Sequence, residues 1–194
     1  MPFSRNVFKK PSTWLRMSIV ILSAVAAILL GLAYPLTGAG ANWVFYADGI
    51  TQVCVAITFI AAGWSITWSV VALGLAFFGI NWHPGVDITL DFIGLGVDVG
   101  FAANLMAWIA YVIDTNYLCD EGYPGGYGYK KGCEQGKQLG GYVYSSGALL
   151  LLAGCCHLAL FVMACKATHV RLAEEKRQAL ERRGDKARET SDDV

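Results

Sequence analysis

Three carboxylates, Asp91, Asp98 and Asp114, lie within or at the end of the stretch "TLDFIGLGVDVGFAANLMAWIAYVID", which is otherwise mostly apolar. A carboxylate at the centre of a bilayer costs roughly 3 kcal/mol or more, so such a residue must hold a proton, pair with a cation or collect hydrogen bonds. Asp91 and Asp98 stand seven positions apart, two helical turns, and therefore share one face. Gly94 lies between them on that face, with Gly96 and Gly100 beside it in a Gly-x-x-x-Gly spacing. Small residues let a neighbouring helix approach closely in lipid. The spacing thus points both aspartates into a bundle, next to a close helix contact at Gly94, Gly96 and Gly100.

Asp91 is within a turn of the start of its apolar run, in reach of water or of the region around Arg16. Asp98 is deeper and needs a partner or a proton. It lies ten residues from Ile88, and His157 lies nine residues from Lys166 at the matching end of a later apolar run. At 1.5 Å per residue both are about 14–15 Å into their helices, so the two are placed to pair as an intramembrane polar clasp. A hydroxyl from Thr58, Ser65 or Thr67 would serve as well, and a water-filled site is the third possibility.

No other constellation carries chemistry. "GCEQGKQ" is one residue short of a phosphate loop and lacks the Ser or Thr after Lys137, and "GLGVDVG" has no preceding strand. There is no His-Glu-x-x-His motif and no Cys-x-x-Cys pair, and His83, His157 and His169 are scattered. No catalytic residue, metal site or cofactor is expected, and the chain is read as a non-enzyme. Cys119 and Cys133 bracket a 13-residue stretch and are the disulfide candidates, because their loop is expected to face an oxidising compartment. Cys165, at the end of the last apolar run, is a candidate for S-palmitoylation. Cys54, Cys155 and Cys156 read as small hydrophobes.

The elements that must position these residues follow from hydropathy. Of 194 residues 55% are hydrophobic, and the mean hydropathy is +0.46, above what soluble domains show. Four runs are long enough to cross about 30 Å of hydrocarbon: Met17–Leu36, a segment within Ile50–Ile80, Ile88–Ile113 and Gly141–Cys165. The expectation is an all-α, four-helix transmembrane bundle, left-handed and antiparallel. A cytoplasmic segment, 1–16, precedes the four-span domain at 17–165, with outer loops at 37–49 and 114–140 and a charged cytoplasmic tail at 166–194. The loop before the fourth span reads as turn-rich coil, and the tail as a charged helix fraying near Gly184. Twelve Lys and Arg flank the spans on the side of the two termini against three in the outer loops, which places both termini in the cytoplasm by the positive-inside rule.

Four spans, an arginine opening the first ("WLRMSIVIL"), an Asp opening the third ("LDFIGLGVDVGFAANLMAWIAY") and a cysteine-bearing outer loop resemble the MARVEL-domain tetraspan proteins, particularly the fungal kind. The resemblance covers about residues 12 to 170. It implies a non-enzymatic membrane organiser concerned with membrane domains, vesicle traffic or membrane apposition, in the plasma membrane or the secretory pathway. Its partners would be membrane lipids and other membrane proteins or further copies of itself, with no nucleic acid. The rival expectation is a small transporter or proton-linked channel component using Asp91 and Asp98 together with His157.

Overall fold

A computed structural model describes residues 8, 10–38, 48–80, 84–114 and 127–192, with side chains described for 8, 10–37, 50–80, 85–110 and 134–182. The chain forms four helices, α1 (Pro11–Gly38), α2 (Asp48–Phe77), α3 (Pro84–Asp114) and α4 (Tyr127–Asp192), and no strand among the described residues. All four are long and apolar enough to cross a membrane. Each packs on its neighbours in sequence, and α1 closes on α4, giving a four-sided bundle whose α2–α3 side is the loosest.

The inward faces come from steps of three and four. On α4 the buried row is Leu139, Val143, Ser146, Leu150, Ala153, His157 and Leu160, a heptad seam; α2 buries Val55, Thr58, Ala62, Ser65 and Ser69 in the same rhythm. Such spacing keeps one stripe of each helix facing the bundle axis. Large apolar side chains point the other way: Ile21, Ile28 and Ile60 are 61%, 63% and 69% exposed. Apolar surface outside with Asp91, Asp98 and His157 inside inverts the arrangement of a water-soluble protein and suits lipid as the solvent.

The core differs along the bundle axis. At the end that holds the start of α1, Ile19, Ala153 and Leu160 pack beside buried polar groups. Ala26, Ala62, Ala102 and Leu150 form the middle layer, where three alanines bring the helices close. Beyond it Leu30, Ala33, Val55, Leu105, Ile109, Leu139 and Val143 fill the far half with apolar side chains. There Trp108 Nε1 donates to Thr51 Oγ1 at 3.1 Å, tying α3 to α2.

Two helix ends have clear local causes. Gly79, with φ of +68°, adopts the left-handed conformation after α2. Its amide donates to Ala76 O at 3.3 Å and that of Ile80 to Leu75 O at 3.0 Å, the paired bonds of a Schellman cap. Pro84 opens α3, where its fixed φ fits and its missing N–H costs nothing, and Asp87 adds a carboxylate to the first turn.

α4 departs from expectation at both ends. Its 66 residues amount to about 100 Å of helix, roughly three times the hydrocarbon core. The stretch read as turn-rich coil is helical from Tyr127 onward. Two of its glycines act as packing positions rather than breaks: Gly136 and Gly140, four apart on one face, are both buried. At the other end the helix runs through Gly184 to Asp192 instead of fraying. Residues with high helix propensity fill this tail, and Arg171–Glu175 and Arg177–Glu181 pair across one turn at 3.0 and 3.2 Å.

The close glycine contacts also fall elsewhere than expected. A Cβ on Gly96 or Gly100 would meet nothing within 4 Å. Both border a cavity of about 380 Å³ between α2 and α3, with Cys54, Thr58, Phe101 and Asn104. The tight positions are Gly94, against the His157 ring, and on α4 Gly147 and Gly154, which a Cβ would bring to 2.6 Å from Met106 Sδ and 2.7 Å from Val99 Cγ2. The physical reason is that α3 turns its Gly94 face toward α4, leaving the Gly96–Gly100 edge toward the loose α2–α3 side. Thermal stability in detergent should therefore separate the glycines. Gly96→Ala and Gly100→Ala are expected to stay within about 0.5 kcal/mol of wild type. Gly154→Ala should lose about 1–3 kcal/mol, because the branched Val99 cannot swing aside as the flexible Met106 can. Equal losses at all three positions would show this assignment of faces to be wrong.

Candidate functional site

The polar groups at the α1 start of the bundle form one connected chain, and every helix contributes to it. Arg16, in the second turn of α1, reaches across to α3 with its guanidinium fork. Nη1 donates to Asp91 Oδ1 at 3.1 Å and Nη2 to Asp91 Oδ2 at 3.0 Å. Nη2 also donates to Asp87 Oδ1 at 3.0 Å. Asp87 and Asp91 are one turn apart, so a single guanidinium spans both. The planar fork suits bidentate carboxylate binding in a way a lysine does not. Trp68 of α2 holds the fork from the side, its ring centroid 5.2 Å from the guanidinium carbon, while its Nε1 donates to Asp91 Oδ1 at 3.0 Å.

α4 brings His157 into the same cluster. Its Nδ1 lies 3.2 Å from Asp91 Oδ1 and its Nε2 3.8 Å from Asp98 Oδ2. The imidazole rests on Gly94, where a Cβ would come within 2.8 Å of Cε1 and Nε2. Gly94 is thus the floor of a cradle with a carboxylate at each side, three residues before it and four after. On Asp98 the other oxygen, Oδ1, accepts from Ser65 Oγ of α2 at 2.8 Å. Thr58 and Thr67, the other two hydroxyls in view from sequence, instead donate to the carbonyls of Cys54 and Gly63 on their own helix.

Burial grades along the chain. The Asp87 side chain is 29% exposed and that of Arg16 10%, whereas Asp91 is at 1% and both His157 and Asp98 at 0%. Charge this deep needs compensation from groups within contact distance, and Asp91 receives it from three N–H donors, two on Arg16 and one on Trp68, with His157 Nδ1 beside them. Asp98 Oδ2 and His157 Nε2 are buried with no hydrogen-bond partner, as are the hydroxyls of Ser23 and Ser69.

The chain gathers Asp91, Asp98, His157 and Gly94 as sequence spacing indicated, takes Arg16 and Ser65 from the partners the sequence offered, and adds Asp87 and Trp68. Arg16 had a signal in sequence, the one basic residue inside the opening turns of α1. Trp68 had none, since tryptophan in an apolar helix looks like packing. His157 sits closer to Asp91 than to Asp98, because the ring lies over Gly94 between the two rather than level with the deeper one. Cys54, Cys156 and Cys165 are half-buried free thiols and Cys155 an exposed one. Cys119 and the side chain of Cys133 lie outside the described residues, as does the pairing expected of them. No group of three or more His, Cys, Asp or Glu among the described residues is placed to hold a metal ion.

Four apolar helices around an interior that carries ion pairs fit a multi-pass membrane protein. Comparison with protein-family models, curated proteins and solved structures gave no match to this chain.

Proposed function

We propose that this chain is a non-enzymatic tetraspan of the MARVEL kind that organises the lateral composition of its membrane, with both termini in the cytoplasm. The observation that carries this reading is the closure of the polar chain. Arg16, Trp68, Asp91 and His157 link all four helices at one level with at most 10% exposure. Buried pairs of this sort are weak sources of net stability, and their best-attested use is to fix one register among the alternatives. Helices in lipid gain little hydrophobic drive to associate, so a clasp that accepts only one arrangement answers a real need. A lipid-facing surface of fixed shape is what lateral selection of lipids or membrane proteins requires.

The topology rests on charge. Setting aside Arg16, which is committed to Asp87 and Asp91, eleven Lys and Arg remain beside the termini against three in the outer loops, from the twelve and three of the sequence. The bias persists. Tags at Met1 and Val194 should both resist external protease in intact cells, while a tag near Gly126 is cleaved.

A second reading, a small transporter or proton-linked channel component, is favoured by the unpartnered Asp98 Oδ2 and His157 Nε2 facing each other. Reconstitution separates the two. Proteoliposomes carrying the purified chain and a pH gradient should leak no faster than protein-free vesicles, and deleting the chain in cells should disperse the membrane components that label beside it. A protein-dependent flux abolished by Asp98→Asn would overturn the organiser reading.

A further inference from the structure

We infer that Asp98 and His157 together form a binding site for one proton, entered only from the end of the bundle that holds Asp87 and Arg16. The count follows from donors and acceptors. Asp91 accepts from both Arg16 nitrogens and from Trp68, so it is a carboxylate and carries no hydrogen of its own. The 3.2 Å contact to His157 Nδ1 is then a bond that Nδ1 donates. The tautomer is thereby fixed, and whatever happens at Nε2 concerns Asp98 alone.

Nε2 and Asp98 Oδ2 are buried, 3.8 Å apart and partnered by nothing else. With no proton between them, a nitrogen lone pair would face a carboxylate at 0% exposure, an arrangement of two acceptors that burial penalises heavily. With two protons, an imidazolium N–H would face a carboxyl O–H, donor against donor. One proton satisfies both atoms, as imidazolium with carboxylate or as imidazole with carboxylic acid. Closing the gap by about 0.6 Å makes it a hydrogen bond.

Among the described residues no other group shares the role. α1 offers Arg16, held by Asp87 and Asp91, and α3 offers those two carboxylates, held by Arg16. α2 gives Ser65 and Trp68 at this level, neither charged, and Ser23 and Ser69 bring only hydroxyls. On α4 the neighbouring thiol of Cys156 packs toward the Ile19 cluster.

The access is one-ended. Exposure falls from 29% at Asp87 through 10% at Arg16 and 1% at Asp91 to 0% at His157 and Asp98. His157 stands between Asp91 and Asp98, so the pair is reached from the partly wet end by way of the Asp87–Arg16–Asp91 cluster. Past Asp98 the path meets Ser65 and then the layer of Ala26, Ala62, Ala102 and Leu150, followed by a far half filled mainly by Leu30, Val55, Leu105, Ile109, Leu139 and Val143, with scattered hydroxyls such as Thr51 and no buried charge among the described residues. Such a site loads and unloads from one side and does not conduct.

The test uses the full chain reconstituted in one orientation, with pH set separately on each side. Infrared spectra report a protonated Asp98 carboxyl, identified by its loss in Asp98→Asn, and nitrogen NMR of the labelled histidine reports protonation at Nε2. At neutral pH the two signals together should count one proton. That count should change with pH on the Arg16 side and stay constant as the far side is varied. A count of zero or two at neutral pH overturns the site, and a response to the far side overturns its one-ended access. The side dependence is read on the wild type, so it stands even if Asp98→Asn folds poorly.

Discussion

Arg16→Met is expected to cost the bundle about 3–5 kcal/mol, enough to prevent a uniquely folded protein, because it strips the buried Asp91 of its counter-charge. Asp91 would keep only Trp68 and His157 as donors, and at 1% exposure no water replaces the guanidinium. The loss is read from unfolding of the purified chain in detergent. Arg16→Lys should recover part of it, since an ammonium can pair with one carboxylate but cannot bridge Asp87 and Asp91 in the plane of a fork. The double variant Arg16→Met/Asp91→Leu should be markedly more stable than Arg16→Met alone, because removing both charges removes the desolvation penalty along with the attraction. Additive losses in the double variant would mean that the pair is not the coupling element it looks like.

The second large effect concerns Asp98, where shape-matched and apolar replacements should diverge. Asparagine keeps an oxygen to accept from Ser65 Oγ and supplies an N–H directed at His157 Nε2, so Asp98→Asn should fold with a stability close to wild type. Leucine does neither. It leaves the Ser65 hydroxyl and the Nε2 atom buried without partners, at about 1–3 kcal/mol for each, and it puts a branched side chain next to Gly154, whose own Cβ would stand 3.8 Å from Asp98 Cβ. Asp98→Leu is expected to misassemble and to be retained in the endoplasmic reticulum, as seen by glycosidase-independent fractionation and microscopy of a tagged chain. Normal export of Asp98→Leu would remove the clasp from the account. Asp98→Asn that exports and folds but loses its cellular role would move proton coupling ahead of structure.

Hydropathy and periodicity determined the four-helix layout by themselves. A run of about 20 apolar residues has few ways to satisfy its backbone in lipid other than a helix, so the spans between Met17 and Cys165 were legible one residue at a time. The shared face of Asp91, Gly94 and Asp98 was legible too, since it depends only on 3.6 residues per turn. Helix length outside the lipid was not: Tyr127–Gly140 looks like coil by its glycines, whereas α4 continues through them with Gly136 and Gly140 buried.

Partner choice belonged wholly to the tertiary structure. Depth along each helix made His157 a neighbour of Asp98, yet whether its ring meets Asp98 or Asp91 depends on the rotation of α4 and on the floor that Gly94 provides. Three hydroxyls on α2 were equivalent in sequence, and only Ser65 faces α3, while Thr58 and Thr67 turn back to their own carbonyls. The same rotation of α3 that buries Gly94 leaves Gly96 and Gly100 open. Periodicity determines which residues share a face; the direction in which that face points is decided by the mutual packing of four helices, a property that no single segment carries.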